Sequence, residues 1–324
     1  MLENIDLKQK IDKPSYKSRM ADLSARLYRA QQRAWEEGIP VIIIFEGWDA
    51  AGKGTTIHKL TDSIDPRGYR IYPIRASRTY EKKRPWLWRF WLKTPARGEW
   101  AIFDRSWYGR VLVERMEKLV SKDEWERAYR DIVDFERTLY DSGTLIIKFF
   151  LHISKKEQKK RFDKLRKDEL NAWRVTKEDL RNHKRYKKWL RVYQEMMERT
   201  DTEWGPWTVV EATDKRHTRV KVYETVLAAI EARLGIQPPE TVQQEAAVLD
   251  QQEAAQQEAA VEQPVAEVLL EDPGETPPDL DPETRIIQTG VPPQAAGLAD
   301  NTPISADPGN GKESAQSAEE VQDA

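Results

Sequence analysis

Short apolar runs alternate along the chain with longer stretches in which apolar residues recur every three or four positions. The runs read as buried strands and the stretches as amphipathic helices. Their alternation predicts an α/β fold, a parallel sheet covered by helices on both faces. Strands are expected at 41–46, 69–74, 100–104, 144–153 and 207–212. Helices are expected at 20–35, 55–64, 86–93, 110–119, 122–140, 154–167, 177–200 and 216–234. The first of these follows from Leu23, Leu27, Ala30 and Ala34 at helical spacing. The span 154–200 is too long and too charged for plain sheet cover, and it predicts an antiparallel helical pair projecting as a basic lid.

The alternation stops near Gly235, and composition changes there. From 236 to 324 there are 11 of the 18 prolines, no Phe, Trp or Tyr, and 19 acidic residues against two basic ones, Arg285 and Lys312. Such a segment cannot bury enough apolar surface to offset its ordering entropy, so 236–324 is expected to be a disordered acidic tail. A repeat of Gln-Gln-Glu-Ala-Ala at 243, 251 and 256 offers no core-forming face. The chain's net charge of −2 therefore conceals a body, 1–235, with 51 basic residues against 36 acidic ones. That length suffices for one domain with an inserted lid. With no cysteine, neither a disulfide framework nor a thiolate metal site is available. No run approaches the ~18 apolar residues of a membrane span, and residues 3–13 lack the apolar core of a secretion signal; a cytoplasmic protein without a membrane partner is expected.

The sharpest local signal is Gly47-Trp48-Asp49-Ala50-Ala51-Gly52-Lys53-Gly54-Thr55, directly after Val41-Ile42-Ile43-Ile44-Phe45-Glu46. A glycine-rich turn that leaves a buried strand and opens a helix gathers backbone N–H groups and the helix's positive end, and Lys53 adds a full charge; this is a phosphate cradle. The spacing G-x-x-x-x-G-K is that of a P-loop, with Gly47, Ala50, Ala51, Gly52, Lys53, Gly54 and Thr55 as phosphate-binding positions. Gly54 stands where most P-loops carry the Ser or Thr that holds magnesium. Thr55, Thr56 or a carboxylate then takes that role, and Asp49 lies inside the loop itself.

A second motif, Trp100-Ala101-Ile102-Phe103-Asp104-Arg105-Ser106-Trp107-Tyr108-Gly109-Arg110, is an apolar strand ending in a carboxylate. A P-loop fold places such a carboxylate beside the cradle to orient magnesium (Mg2+), which makes Asp49 and Asp104 the candidate metal ligands. The guanidinium forks of Arg105 and Arg110 match phosphate oxygens bidentately.

Residues 155–191 hold 16 basic residues against 6 acidic ones, which implies a polyanionic partner. Lys155, Lys156, Lys167, Lys184, Arg185 and Lys188 are candidates for a track along it, and Arg161 and Arg166 stand nearest the cleft. Aromatics at Trp173, Tyr186, Trp189 and Tyr193 would suit a platform for single-stranded nucleic acid. Trp189 and Tyr193, however, lie at i,i+4 beside Leu190 and Met197, which reads as packing against the partner helix, so nucleic acid is not the expected partner. In Arg84-Pro85-Trp86-Leu87-Trp88-Arg89-Phe90-Trp91 most aromatics are expected in the core. Trp86 or Trp88 remains a candidate to stack on a nucleobase, with Arg84 or Arg89 reaching its phosphate. The histidines at 58, 152, 183 and 217 show no ligand spacing, and His152 reads as a buried strand residue.

These motifs resemble the polyphosphate kinase 2 family, the polyphosphate:nucleotide phosphotransferases. The resemblance rests on Phe45-Glu46-Gly47-Trp48-Asp49-Ala50-Ala51-Gly52-Lys53-Gly54, on Asp65-Pro66-Arg67-Gly68, and on Phe103-Asp104-Arg105-Ser106-Trp107-Tyr108 with Glu114-Arg115. It continues through Ser154-Lys155-Lys156-Glu157-Gln158 with Arg161-Phe162 to Pro206-Trp207 and Asp214-Lys215, covering about 15–235. It implies a thymidylate-kinase-like core under a helical lid that moves phosphoryl groups between inorganic polyphosphate and adenine or guanine nucleotides with magnesium. By that similarity Asp49, Lys53, Asp104 and Arg105 are the central catalytic positions, Arg161 and Arg166 are lid arginines, and a homo-oligomer is suggested. Asn171-Ala172-Trp173-Arg174 departs from the family in having Arg where Lys is usual. Pro85-Trp86-Leu87-Trp88-Arg89-Phe90-Trp91 is most similar to members that phosphorylate AMP to ADP, with ADP to ATP and the reverse direction also open. Two other readings compete: an ATP-dependent nucleoside monophosphate kinase, for which the basic lid is excessive, and a nucleic-acid-binding or scaffold protein that only senses nucleotide.

Overall fold

Five strands, β1 (Val41–Gly47), β2 (Tyr69–Pro73), β3 (Trp100–Asp104), β4 (Leu145–His152) and β5 (Trp207–Glu211), form one parallel sheet in the order β2-β3-β1-β4-β5. The computed structural model describes residues 2–236, so the expected tail lies, beyond Ile236, outside the described residues. Strand β1 is buried along its whole length because it is central in a sheet that helices cover, as the apolar run Val41–Phe45 requires. Its register sets Phe45 opposite Asp104 of β3 and Gly47 opposite Leu151 of β4. After β1 the chain turns toward β2 and β3, and after β4 toward β5. The crevice beyond the carboxyl ends of β1 and β4 is thus the point where such a sheet receives a ligand.

The helices are α1 (Lys13–Glu36), α2 (Lys53–Thr61), α3 (Thr79–Lys82), α4 (Trp88–Trp91), α5 (Val113–Met116), α6 (Lys122–Asp141), α7 (Lys155–Lys167), α8 (Lys177–Lys184), α9 (Tyr186–Thr200) and α10 (Lys215–Leu234). Helices α1 and α10 pack along each other, joined by Arg26, whose Nη2 lies 2.9 Å from both carboxylate oxygens of Glu231. Helix α10 lies on β4 and β5, while α6 lies on β4 where Lys148 projects toward its Glu136.

Four helices differ from expectation by more than a few residues or in number. Helix α1 starts seven residues earlier, at a cap made by Asp12, whose side chain accepts from Ser15 N at 3.0 Å, with Pro14 in the first turn. The helix expected over 177–200 is two, α8 and α9, separated at Arg185, where Tyr186 turns in to stack on Trp48. That expected over 86–93 shrinks to the single turn α4, and that over 110–119 to a 3-10 turn, Trp107–Arg110, followed by α5.

Candidate active site

The P-loop takes its shape from three positions. Gly47 has φ +128°, and a Cβ there would stand 2.3 Å from the Leu151 carbonyl oxygen of β4. Only glycine fits so close to a neighbouring strand. Gly52, at φ 106°, caps α2, and Ala50 accepts the left-handed region at φ 60° between them. Lys53 is 9% exposed; its Nζ donates to Gly47 O (2.8 Å) and Trp48 O (3.1 Å), and burial lowers its pKa. The charges that act on it come from Asp49, Arg105, Asp104 and Glu46, which places these groups around one ammonium.

Asp104 ends β3, and Arg105 follows in the left-handed region at φ 64°. This turn sends the Arg105 guanidinium back to Asp49, Nη2 to Oδ1 2.9 Å. The Asp104 carboxylate has no ion-pair partner among the described residues, and a Cβ on Gly54 would lie 3.9 Å from its Oδ2. The missing side chain at 54 therefore leaves space before that carboxylate. Among the described residues no three His, Cys, Asp or Glu side chains gather as a metal cage. Two hard carboxylates with room for water and phosphate oxygens fit the way Mg2+ is ordinarily held. Thr55 and Thr56 both turn their hydroxyls to Gly52 O, at 2.9 and 3.0 Å.

Arg161 lies at the P-loop itself, as a residue nearest the cleft should, but its guanidinium is already engaged there. From α7 its Nη1 donates to Ala50 O (3.0 Å) and Ala51 O (2.8 Å), its Nη2 to Ala212 O (2.6 Å) and Thr213 O (3.0 Å), and its Nε to Glu157. A fork so engaged holds the loop rather than a ligand. Because the peptide is planar, fixing the Ala51 carbonyl on Arg161 turns the Gly52 N–H the opposite way. Gln158 adds a second strut, donating to Asp49 O at 3.1 Å and accepting from His183 Nδ1 at 2.8 Å. The base of the basic hairpin is thus fastened to the P-loop.

Other expected contacts are also committed elsewhere. Arg89 is buried and bonded to Ser77 Oγ, Arg75 O and Glu81, so its guanidinium shapes the chain before α4 and is not free for a nucleotide. Arg110 pairs with Glu114 at 3.1 Å and lies over the Trp86 ring at 5.0 Å, which occupies both the expected phosphate ligand and one expected stacking face. Trp86 Nε1 donates to Asp131. Arg84 covers Trp88 at 4.6 Å, and Arg185 pairs with Glu117 at 2.9 Å. On α7, Gln158 and Phe162 turn inward, while Lys156 and Lys167 line an open cavity of about 470 Å³ with Lys159, Lys160, Asp163 and Lys164. Helical geometry sets that ridge opposite the inward face, so Lys156 and Lys167 point away from the P-loop. Lys155, Arg166, Lys184 and Lys188 are exposed.

Sequence reasoning passed over several contributors. Glu46 is buried beneath the loop, its pKa raised by burial, and it accepts from Ser106 Oγ at 2.9 Å. Trp48 stacks on Tyr186 (centroids 3.8 Å apart, 5° between planes) and donates to His152 Nδ1 at 2.8 Å. His152, as expected, is buried, and burial lowers its pKa to about 4. Trp189 and Tyr193 are buried in packing, as expected. One signal was legible: a charged residue, Glu46 or Lys148, within an otherwise apolar strand.

A loop of this shape after the central strand, with a carboxylate closing the adjacent one, defines a P-loop kinase-like protein. The chain belongs to the polyphosphate kinase 2 (PPK2) family, whose family model matches residues 10–238. It is 45% identical over 232 residues to a polyphosphate:AMP phosphotransferase of Pseudomonas aeruginosa, covering 72% of this chain and 47% of that protein. The chain thus spans about half the length of that relative. An ADP-polyphosphate phosphotransferase 3 of Rhizobium meliloti is 34% identical over 67% of this chain and 76% of its own. The crystal structure of polyphosphate kinase 2 from Arthrobacter aurescens TC1 superposes with a TM-score of 0.70 at 31% identity, covering 77% and 93% of the two chains. No helix among the described residues is long and apolar enough to cross a membrane.

Proposed function

We propose that the chain transfers a phosphoryl group between inorganic polyphosphate and a nucleotide in the cytoplasm, with AMP to ADP as the favoured reaction. The observation that carries the reading is the fastening of a +10 helical segment, 155–191, to the P-loop through Arg161 and Gln158. An ATP donor needs only a few positive contacts, whereas a polymer with about one charge per phosphate needs an extended basic surface. The polyphosphate:AMP activity named for the Pseudomonas relative supports the choice of acceptor.

In this reading Lys53 and the loop N–H groups hold the transferred group in line. Arg105, released from Asp49 by the incoming phosphates, offsets negative charge as it develops, and the exposed Arg166 steadies the polymer from the hairpin. Asp49 and Asp104 would hold Mg2+, which would supply positive charge to offset that of the phosphates. Arg161 is a positioning residue for the loop. Lys155, Lys184 and Lys188 serve the polymer, and Trp88 with Arg84, once that guanidinium leaves the ring it now covers for a phosphate, is the remaining candidate for the nucleotide.

The test incubates the full chain with magnesium and long-chain polyphosphate plus AMP, ADP or GMP, in parallel with ATP plus AMP, and quantifies every nucleotide. ADP from polyphosphate and AMP, absent with Lys53→Ala, is the expected result. Product from ATP alone would move the protein to the nucleoside monophosphate kinases.

A further inference from the structure

The interior holds two charged side chains that the reaction does not use. Glu136 of α6 and Lys148 of β4 are both fully buried and lie 2.9 Å apart. A buried ion pair is weak evidence for stability, since apolar residues of similar volume often do as well, so its retention calls for another account. Its hydrogen bonds supply one. Glu136 Oε1 accepts from Trp107 Nε1 at 2.9 Å and from Tyr108 OH at 2.7 Å. Lys148 Nζ donates to Glu136 Oε2 (2.9 Å), to Tyr108 OH (3.1 Å) and to Thr200 O (2.8 Å), the last residue of α9.

Both donors to Glu136 Oε1 lie on the turn that starts three residues after Asp104. Between them and Asp104 stands Arg105 in the left-handed region, a conformation that persists in a non-glycine residue only when the surroundings over-determine it. On the near side Ser106 is held by Glu46, and its own hydroxyl accepts from Tyr108 N. On the far side the Glu136 carboxylate holds both the Trp107 and Tyr108 side chains, and Lys148 adds a bond to Tyr108 OH while it fixes that carboxylate to the central sheet. We infer that the Glu136–Lys148 pair is a positioning device: it holds the Asp104–Arg105 segment in its aim and ties it to the end of the helix returning from the basic hairpin.

The inference rests on the phosphotransferase reading, and its test separates the two. The double variant Glu136→Leu/Lys148→Met removes both charges together and keeps apolar volume, so the fold survives while the grip on the turn is lost. Expected are a kcat lower by about 100-fold with KM for AMP changed less than about 3-fold. The amides of Arg105, Tyr108, Gly109 and Val111, now held by bonds to Phe45 O, Ser106 and Tyr108 O, should exchange with solvent about 10-fold faster. Glu136→Gln/Lys148→Met keeps a carbonyl that accepts from Trp107 and Tyr108, and should recover kcat to within about 5-fold of wild type. Should the Leu/Met pair fail to fold, Tyr108→Phe deletes one donor at constant volume and should give the same signs at about 5-fold. A folded Leu/Met variant with unchanged kcat and unchanged exchange would overturn the inference and leave the activity standing. Faster exchange in a protein whose wild type transfers nothing would sink the activity and leave the coupling intact.

Discussion

Acid should weaken this protein through His152, by an amount that follows from its contacts. Its Nδ1 accepts a hydrogen bond from Trp48 Nε1, and its Nε2 faces Leu2 O at 3.2 Å, so the ring is neutral with its proton on Nε2. Protonating Nδ1 sets two N–H groups against each other in a buried site. Burial accordingly lowers the folded pKa from 6.5 to about 4. A depressed folded pKa means that the contribution is complete above pH 6.5 and is lost as pH falls from 6.5 toward 4. Between pH 7.5 and pH 5 the loss comes to about 2 kcal/mol, and below pH 4 it levels at about 3 kcal/mol. His152→Gln keeps an oxygen for Trp48 and does not titrate there. Urea denaturation of both proteins at pH 7.5, 6 and 5 supplies the difference, in which other shifted groups such as His183 and Glu211 cancel. Wild type should lose about 2 kcal/mol more than the variant. Stability curves that stay parallel to within about 0.5 kcal/mol would refute the reasoning.

Other perturbations probe the loop and the hairpin. Gly47→Ala drives a Cβ to 2.3 Å from Leu151 O at φ +128° and should lower unfolding stability by more than about 3 kcal/mol in the same assay. Arg161→Lys replaces a fork spanning four carbonyls by one ammonium; stability should fall by about 2 kcal/mol and kcat by about 10-fold or more, read by denaturation and initial rates. Raising salt from ~50 to ~200 mM should increase KM for polyphosphate about 10-fold while KM for AMP moves much less, since only the polymer covers many charges.

The sheet and the loop were legible because their signals are local. An apolar run followed by Gly-x-x-x-x-Gly-Lys fixes strand, turn and helix within 21 residues, and all five expected strands lie within two residues of those observed. Asp49 and Arg105 were named separately from two motifs; that they form an ion pair follows from β1 and β3 being neighbours, which periodicity does not encode. The break at Arg185 carries no Pro or Gly to announce it; the stack of Tyr186 on Trp48, 138 positions away in sequence, causes it. The same holds for the arginines. Sequence shows that Arg89, Arg110 and Arg161 are cations, and only packing shows that Ser77, Glu114 and the loop carbonyls have already claimed them.

The most direct measurement is a 31P NMR time course of the full chain with Mg2+, long-chain polyphosphate and AMP, compared with Lys53→Ala and Asp104→Asn. The account predicts that the ADP β-phosphate signal grows by one phosphate for each lost from the polymer, and that both variants are silent. Polymer loss as free phosphate with no ADP, or ADP only after ATP is added, would contradict it.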